Sequence, residues 1–294
     1  MPRWQGKSKG TPLGYKIFIS ICRALGTLPA YLLLQFVAVY YLLFSRTSTV
    51  HIYRYFRKRH GFGALNSIWK VYSNYVIFGQ TLLDKVVVMA GIENKLSYDF
   101  DGEQHLRDIV RGGRGGILIS AHVGNWEAAG HLLKRLNTRI NVVMFDGENQ
   151  QIKDFLEEVT GGRNLRVILV KPDLSHVFAI GEALQNNELI CLHADRFLDG
   201  NQTATHHFLG EPAQFPTGPF MLAASFGVPV SFVFAFKESL RHYHFYGSAP
   251  VERLPEEGKA DYIARLMTSF ISTLEQKVKM YPEQWFNYYN FWAK

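Results

Sequence analysis

The 294-residue chain is 47% hydrophobic and 19% charged, which allows one or two domains with a sizeable core and excludes a disordered chain. Its two cysteines, Cys22 and Cys191, make neither a disulfide framework nor a C-x-x-C zinc site. The net charge of +7 is concentrated at one end: Met1 to Leu83 carries 11 Lys or Arg and no acid, whereas the rest carries 21 against 25, the asymmetry of a membrane-surface anchor or a nucleic-acid arm.

In chain order, the first predicted element is the uncharged 22-residue run Ala24–Ser45. As a helix it is about 33 Å long, against roughly 30 Å of bilayer hydrocarbon. Tyr31, Tyr40 and Tyr41 suit a membrane interface, while Pro29 and Gln35 count against a spanning helix. Lys7, Lys9, Lys16 and Arg23 precede the run, and Arg46, Arg54, Arg57, Lys58 and Arg59 follow it. Charge on both flanks leaves orientation undecided and suits a helix lying in an anionic leaflet. No A-x-A-like site follows, so a removed signal peptide is not expected. A buried core helix is the alternative. An apolar run of this kind is unlike a groove-fitting motif, which sets nucleic acid aside.

Ala64–Ala90 has the 3-and-4 apolar spacing of a long amphipathic helix. After Gly91 the rhythm changes. Strands are predicted at Ile117–Ser120, Asn141–Phe145, Arg166–Val170, Leu189–His193, Val228–Phe236 and His242–Gly247, the last as a possible antiparallel neighbour of the one before it. Helices are predicted at Trp126–Leu136, Asn149–Val159, Leu174–Gln185, Thr217–Phe226 and Asp261–Met280. Such alternation predicts an α/β fold, a mostly parallel sheet flanked by helices. The expected division is a membrane-associated helical region over residues 1–91 and a catalytic domain over 92–294.

Chemistry in such a sheet sits at the carboxyl ends of strands. The strand ending at Ser120 runs into Ala121-His122-Val123-Gly124-Asn125-Trp126-Glu127. Asn125 is a good N-cap, and Glu127 falls in the first helical turn, where negative charge is favoured. A carboxylate on one imidazole nitrogen of His122 would leave the other as a general base. Read from residues alone, Glu127 is equally a plain helix-capping charge.

The block His122-x4-Glu127 resembles that of the lipid A biosynthesis (lauroyl/myristoyl) acyltransferase family, a branch of the lysophospholipid acyltransferase-like group. Gly113–Ser120 resembles its lead-in strand, and Phe208-Leu-Gly with Phe215-Pro-Thr-Gly-Pro-Phe-Met-Leu-Ala223 resembles its F-F-G…P-x-G…L-A stretch. Tyr281-Pro-Glu-Gln-Trp-Phe-Asn287 resembles its C-terminal P-x-Q-W block. The resemblance implies a glycerolipid-acyltransferase-like fold with a basic, apolar anchor, at the cytoplasmic face of a bacterial inner membrane. It implies transfer of a fatty acyl chain from acyl carrier protein or a coenzyme A thioester to a hydroxyl or amine of a lipid acceptor, with no metal, no further cofactor and no nucleic acid.

On this reading His122, oriented by Glu127, takes the acceptor's proton. Backbone N–H groups near Gly124 or at the start of the Trp126 helix, or the Arg196 guanidinium, are candidate oxyanion donors. Asn125, Asp195, Arg196 and Gly218 are candidate substrate-binding residues, Gly218 because a helix N-terminus suits a phosphate or carboxylate. Asp195-Arg196 as a loop-holding ion pair, and Gly218 as a plain turn, are the blander alternatives. Other constellations carry less. His122, Glu127, His131, His193 and Asp195 make a metal-dependent lipid ester hydrolase imaginable, Cys191 and His193 a nucleophilic pair, and a non-enzymatic lipid-binding protein would need none of them. His206-His207 reads as a solvated loop. Arg111–Gly116 reads as a turn, since it precedes its strand and lacks the phosphate-loop spacing.

Overall fold

The computed structural model describes residues 12–125, 136–145, 165–171, 173–198 and 200–292. Four helices open it: α1 (Pro12–Leu25), α2 (Thr27–Phe44), α3 (Arg46–Arg59) and α4 (Ala64–Met89). Gly26, at φ +84°, breaks the run expected to be continuous over 24–45. The helix restarts at Thr27, so Pro29 falls in the first turn of α2, where its missing N–H costs nothing. Gln35 is satisfied too, its Oε1 accepting from the Tyr72 hydroxyl at 2.6 Å. By length and composition, α2 is long and apolar enough to cross a membrane.

One stripe of α2, Ala30, Tyr31, Leu34 and Ala38, is buried. It lies on α4 so closely that a Cβ on Gly79 would come within 2.4 Å of Leu34 Cδ1. The opposite stripe, Leu28, Leu32, Phe36, Val39 and Leu43, is exposed.

Among the described residues nine strands follow: β1 (Ser97–Asp101), β2 (Gly116–Ser120), β3 (Ile140–Phe145), β4 (Leu165–Val170), β5 (Leu189–His193), β6 (Thr203–Phe208), β7 (Glu211–Pro216), β8 (Val230–Ser239) and β9 (His242–Gly247). Seven form one sheet in the order β1-β9-β8-β2-β5-β3-β4. Every pairing in it is parallel except β8 with β9. The helices among the strands are α5 (Glu103–Arg111), α6 (Ser175–Gln185), α7 (Gly218–Phe226) and α8 (Lys259–Met280). The mostly parallel α/β sheet is therefore as expected, including the antiparallel final strand. The predicted helices Trp126–Leu136 and Asn149–Val159 lie outside the described residues, Leu136 apart.

Several elements depart from expectation, the unpredicted helices α1, α3 and α5 among them. His206-His207 belongs to β6, not a loop, because β6 and β7 form an antiparallel hairpin closed by positive-φ residues Leu209 and Gly210. Polar β6 residues and Pro212 and Pro216 in its partner hide that hairpin from a hydrophobic pattern. Edge strand β1 was also missed, since only Tyr98 and Phe100 mark its alternation.

The main core joins the N-terminal helices to the sheet. Tyr55 and Phe56 of α3 and Val71 and Tyr75 of α4 share one buried cluster with Ile117, Phe234, Phe270 and Trp285. Each large side chain so buried contributes roughly 1.5–3 kcal/mol.

At the end of α3, the His60 ring packs against Tyr55, Phe56 and Phe62, and its buried Nε2 has no hydrogen-bond partner among the described residues. Burial pushes this imidazole down to about 4, against the pull of Glu283 and helped by Lys279 and Lys70. An unfolded histidine titrates near 6.5, so between about pH 6.5 and 4 the unfolded chain takes up the extra proton. Stability is therefore expected to fall as pH drops through that window. In denaturant titrations His60→Phe should remove about 1 kcal/mol of the fall, a figure already discounted for the ring's partial exposure. Identical pH dependence in both proteins would contradict this.

Candidate active site

The residues of β2, Gly-Ile-Leu-Ile-Ser, are all buried, as expected of a strand covered on both faces. β5 lies beside it in parallel register, pairing Ser120 with His193. The two strands thus end side by side, and Ala194 N–H donates to the Ser120 carbonyl at 3.0 Å to extend the match. One residue further, the chain leaving β2 presents His122 and the chain leaving β5 presents Asp195.

The two side chains meet. His122 Nδ1 lies 2.7 Å from Asp195 Oδ1, and the His122 backbone N–H donates to Oδ2 at 3.1 Å. Asp195 is 1% exposed and the His122 side chain 25%, so a buried carboxylate holds an imidazole that still reaches solvent. The carboxylate contact assigns the proton to Nδ1 and leaves the Nε2 lone pair basic. Burial opposes the charged form of Asp195. The His122 contact and its hydrogen bond, with Arg196 and His193, outweigh burial and hold the carboxyl well below the usual carboxylate range.

His193 stands on the other side of the ring. Its Nδ1 is 3.3 Å from His122 Nε2, and the two rings meet edge to face at 4.2 Å. Burial, reinforced by His122, pushes His193 well below its ordinary value, with Asp195 pulling the other way. It is a neutral imidazole beside the basic nitrogen.

The turn after His122 is pinned from two sides. Gly124 N–H donates to the Gln284 carbonyl and Asn125 N–H to the Ala235 carbonyl, each at 2.8 Å. Phe286 N–H donates to the His122 carbonyl at 3.1 Å, and Val123 bridges to Trp285. The Pro282–Asn287 segment is therefore a clamp on the histidine turn. Arg196 holds the clamp in place, donating from Nη2 to the Phe286 carbonyl at 2.6 Å. Gln284 fixes it to β8, accepting from Lys237 N–H at 2.9 Å and donating to the Lys237 carbonyl at 2.7 Å.

Among the candidates read from sequence, His122, Asp195 and Arg196 come together. Asn125 is buried beside them, its amide donating to the Thr81 carbonyl at 3.1 Å and the Tyr243 hydroxyl at 3.3 Å. Gly218 sits at the exposed start of α7, behind Thr217, with open space around it. Glu127, and His131 of the imagined metal set, lie outside the described residues. The amides of Val123, Gly124 and Asn125 are engaged with carbonyls, so they are not the free oxyanion donors expected near Gly124. Burial pushes the Cys191 thiol up to about 12, which removes the thiolate that a Cys191–His193 nucleophile would need.

Three features escaped the sequence reading: Asp195 as the carboxylate on His122, His193 against Nε2, and the clamp role of the C-terminal block. The alternation His193-Ala194-Asp195 at the end of a predicted strand was the available signal. It became legible only once β2 and β5 were known to be neighbours.

Gly124, at φ +58°, has no room for a side chain, since a Cβ there would meet the Ala235 carbonyl oxygen at 1.8 Å. Gly124→Ala is expected to destabilise the fold by about 3 kcal/mol or more, through left-handed strain and the backbone clash together. Thermal unfolding checks this, and an unchanged melting temperature would refute the pinned turn.

The family model for bacterial lipid A biosynthesis acyltransferases matches residues 71–294. Curated relatives include the phosphatidylinositol mannoside acyltransferase of Mycobacterium tuberculosis, in two strains, each 28% identical over 127 residues. Those matches cover 43% of this chain, which spans about 40% of the length of these relatives. Among solved structures, the 1-acyl-sn-glycerophosphate acyltransferase PlsC of Thermotoga maritima aligns with a TM-score of 0.36 and 14% identity, over 85% of this chain and 97% of that one. Matched by the family model over more than half of its length, this chain belongs to the bacterial lipid A biosynthesis acyltransferase family.

Proposed function

We propose that the chain transfers a fatty acyl group from an acyl thioester, carried on acyl carrier protein or coenzyme A, to a hydroxyl or amine of a lipid acceptor. Family membership supports the reaction class, and one observation supports the role of His122: its Nδ1 rests on buried Asp195 while Nε2 stays basic at the carboxyl ends of β2 and β5. Nε2 takes the acceptor's proton as the acceptor oxygen or nitrogen attacks the thioester carbonyl. The tetrahedral intermediate collapses, the C–S bond breaks, and the leaving thiolate takes that proton back from the imidazolium. Asp195 stabilises the imidazolium formed between the two steps. Glu127, from the H-x4-E block, is proposed as a second negative charge favouring the imidazolium, with Asp195 on Nδ1, and Arg196 acts through the clamp segment.

The reaction is proposed to take place at the cytoplasmic face of a bacterial inner membrane. Residues 1–91 would form the membrane-facing region and residues 92–294 the transferring domain. The exposed stripe of α2, with Leu13, Ile17 and Leu25 of α1, offers apolar side chains to acyl chains. Exposed Lys16, Arg23, Arg46, Arg54 and Lys58 would meet anionic headgroups. The buried stripe ties α2 to α4, which favours a helix lying in one leaflet over one that crosses.

Purified protein with a long-chain acyl thioester and extracted bacterial lipid tests the chemistry by thiol release. His122→Ala is expected to lower kcat by about 10³-fold, and Asp195→Asn by about 10- to 100-fold. Wild-type rates in His122→Ala would reject the general-base role. For the membrane reading, Leu32→Asp with Phe36→Asp should weaken sedimentation with anionic vesicles at least tenfold, each side chain forfeiting roughly 1–2 kcal/mol of burial. Unchanged sedimentation would contradict it.

A further inference from the structure

Three elements converge on one buried carboxylate. Asp84, on α4, is 0% exposed and receives hydrogen bonds from α2, β8 and β9. The Tyr31 hydroxyl of α2 donates to its Oδ1, and the Tyr243 hydroxyl of β9 donates to its Oδ2. Lys237 Nζ of β8 donates to Oδ2 and lies 3.2 Å from the Tyr31 hydroxyl. Tyr243 in turn accepts from the Asn125 side-chain amide at 3.3 Å, and that amide also donates to the Thr81 carbonyl, less than one helical turn before Asp84. Asn125 directly follows Gly124 in the pinned turn.

Neutralising Lys237 alone would need one carboxylate and one amine. Here two tyrosine hydroxyls from elements distant in sequence occupy different oxygens of that carboxylate. One belongs to the helix whose far side is exposed and apolar, and the other holds the turn that carries the histidine. We propose that Asp84 is a positioning residue that couples the seating of α2 to the geometry of the His122 turn, through Tyr31 on one side and Tyr243 and Asn125 on the other. The link rests on the reading of α2 as the membrane-seated helix and of His122 as the reacting base. When α2 is seated on α4, Tyr31 fixes the carboxylate, the carboxylate fixes the Tyr243 hydroxyl, and Asn125 is held from two directions. When α2 is displaced, the carboxylate loses one anchor and the Asn125 amide loses a fixed acceptor.

Tyr31→Phe and Tyr243→Phe test this without leaving a charge unpaired, whereas Asp84→Asn would leave Lys237 buried without its counter-ion. Each removes one hydroxyl and keeps the ring. Hydrogen exchange of the Gly124 and Asn125 amides, measured on the full chain bound to anionic vesicles, should speed up about tenfold in both variants. The Ile117–Ser120 amides of β2 should keep wild-type rates. In the thiol-release assay kcat should fall about tenfold while the donor KM stays within twofold. Exchange at Gly124 and Asn125 that is unchanged in Tyr31→Phe would overturn the coupling, and so would an equal rise throughout β2, the mark of general destabilisation. The exchange measurement does not depend on transfer. An inactive wild type would therefore count against the proposed reaction and leave the coupling to be decided by exchange.

Discussion

The in-register parallel pairing of β2 with β5 is the constraint on which the rest of the site depends. Because Ser120 sits opposite His193, the residues just beyond the two strand ends must emerge side by side. A one-residue slip would send Asp195 to the other face of the sheet and leave His122 without its carboxylate. The apolar runs Gly116–Ser120 and Leu189–His193 can be buried only in the middle of a sheet covered on both faces, and this forces them together.

Around that pairing the protein confines the histidine by polar contacts of the backbone. Its carbonyl and the Gly124 amide are engaged by the C-terminal clamp, its own amide by Asp195, and the Asn125 amide by β8. Arg196 and Gln284, the polar residues that build the clamp, do so through main-chain groups rather than through the imidazole. A side chain so placed needs little reorganisation when charge develops on it, which is the condition for efficient proton transfer in a partly dry site. The N-terminal helices belong to the same construction, since Tyr55, Tyr75 and Trp285 share one core cluster.

The amino-acid pattern announced the α/β class, the long α4, six strands of the large sheet and His122, because each is carried by local periodicity or by a compact motif. It offered Asp195 and Arg196 as candidate substrate-binding residues but not what they touch. A carboxylate and an imidazole 73 positions apart meet only through strand order, which periodicity does not encode. The β6–β7 hairpin was hidden for a different reason: its strands are polar and proline-bearing, so alternation fails while the positive-φ turn at Leu209-Gly210 still closes it. Asp84 marked the end of the basic region as a matter of charge counting. Its place between Tyr31, Lys237 and Tyr243 follows from tertiary packing alone.

The central claim is that His122 serves acyl transfer to a lipid. The most direct measurement compares lipid extracts, by mass spectrometry, from a bacterium lacking the gene and expressing either the wild type or His122→Ala. The account predicts a lipid heavier than its acceptor by one acyl group, present with the wild type and missing with His122→Ala. The same lipid at equal abundance in both strains would contradict it.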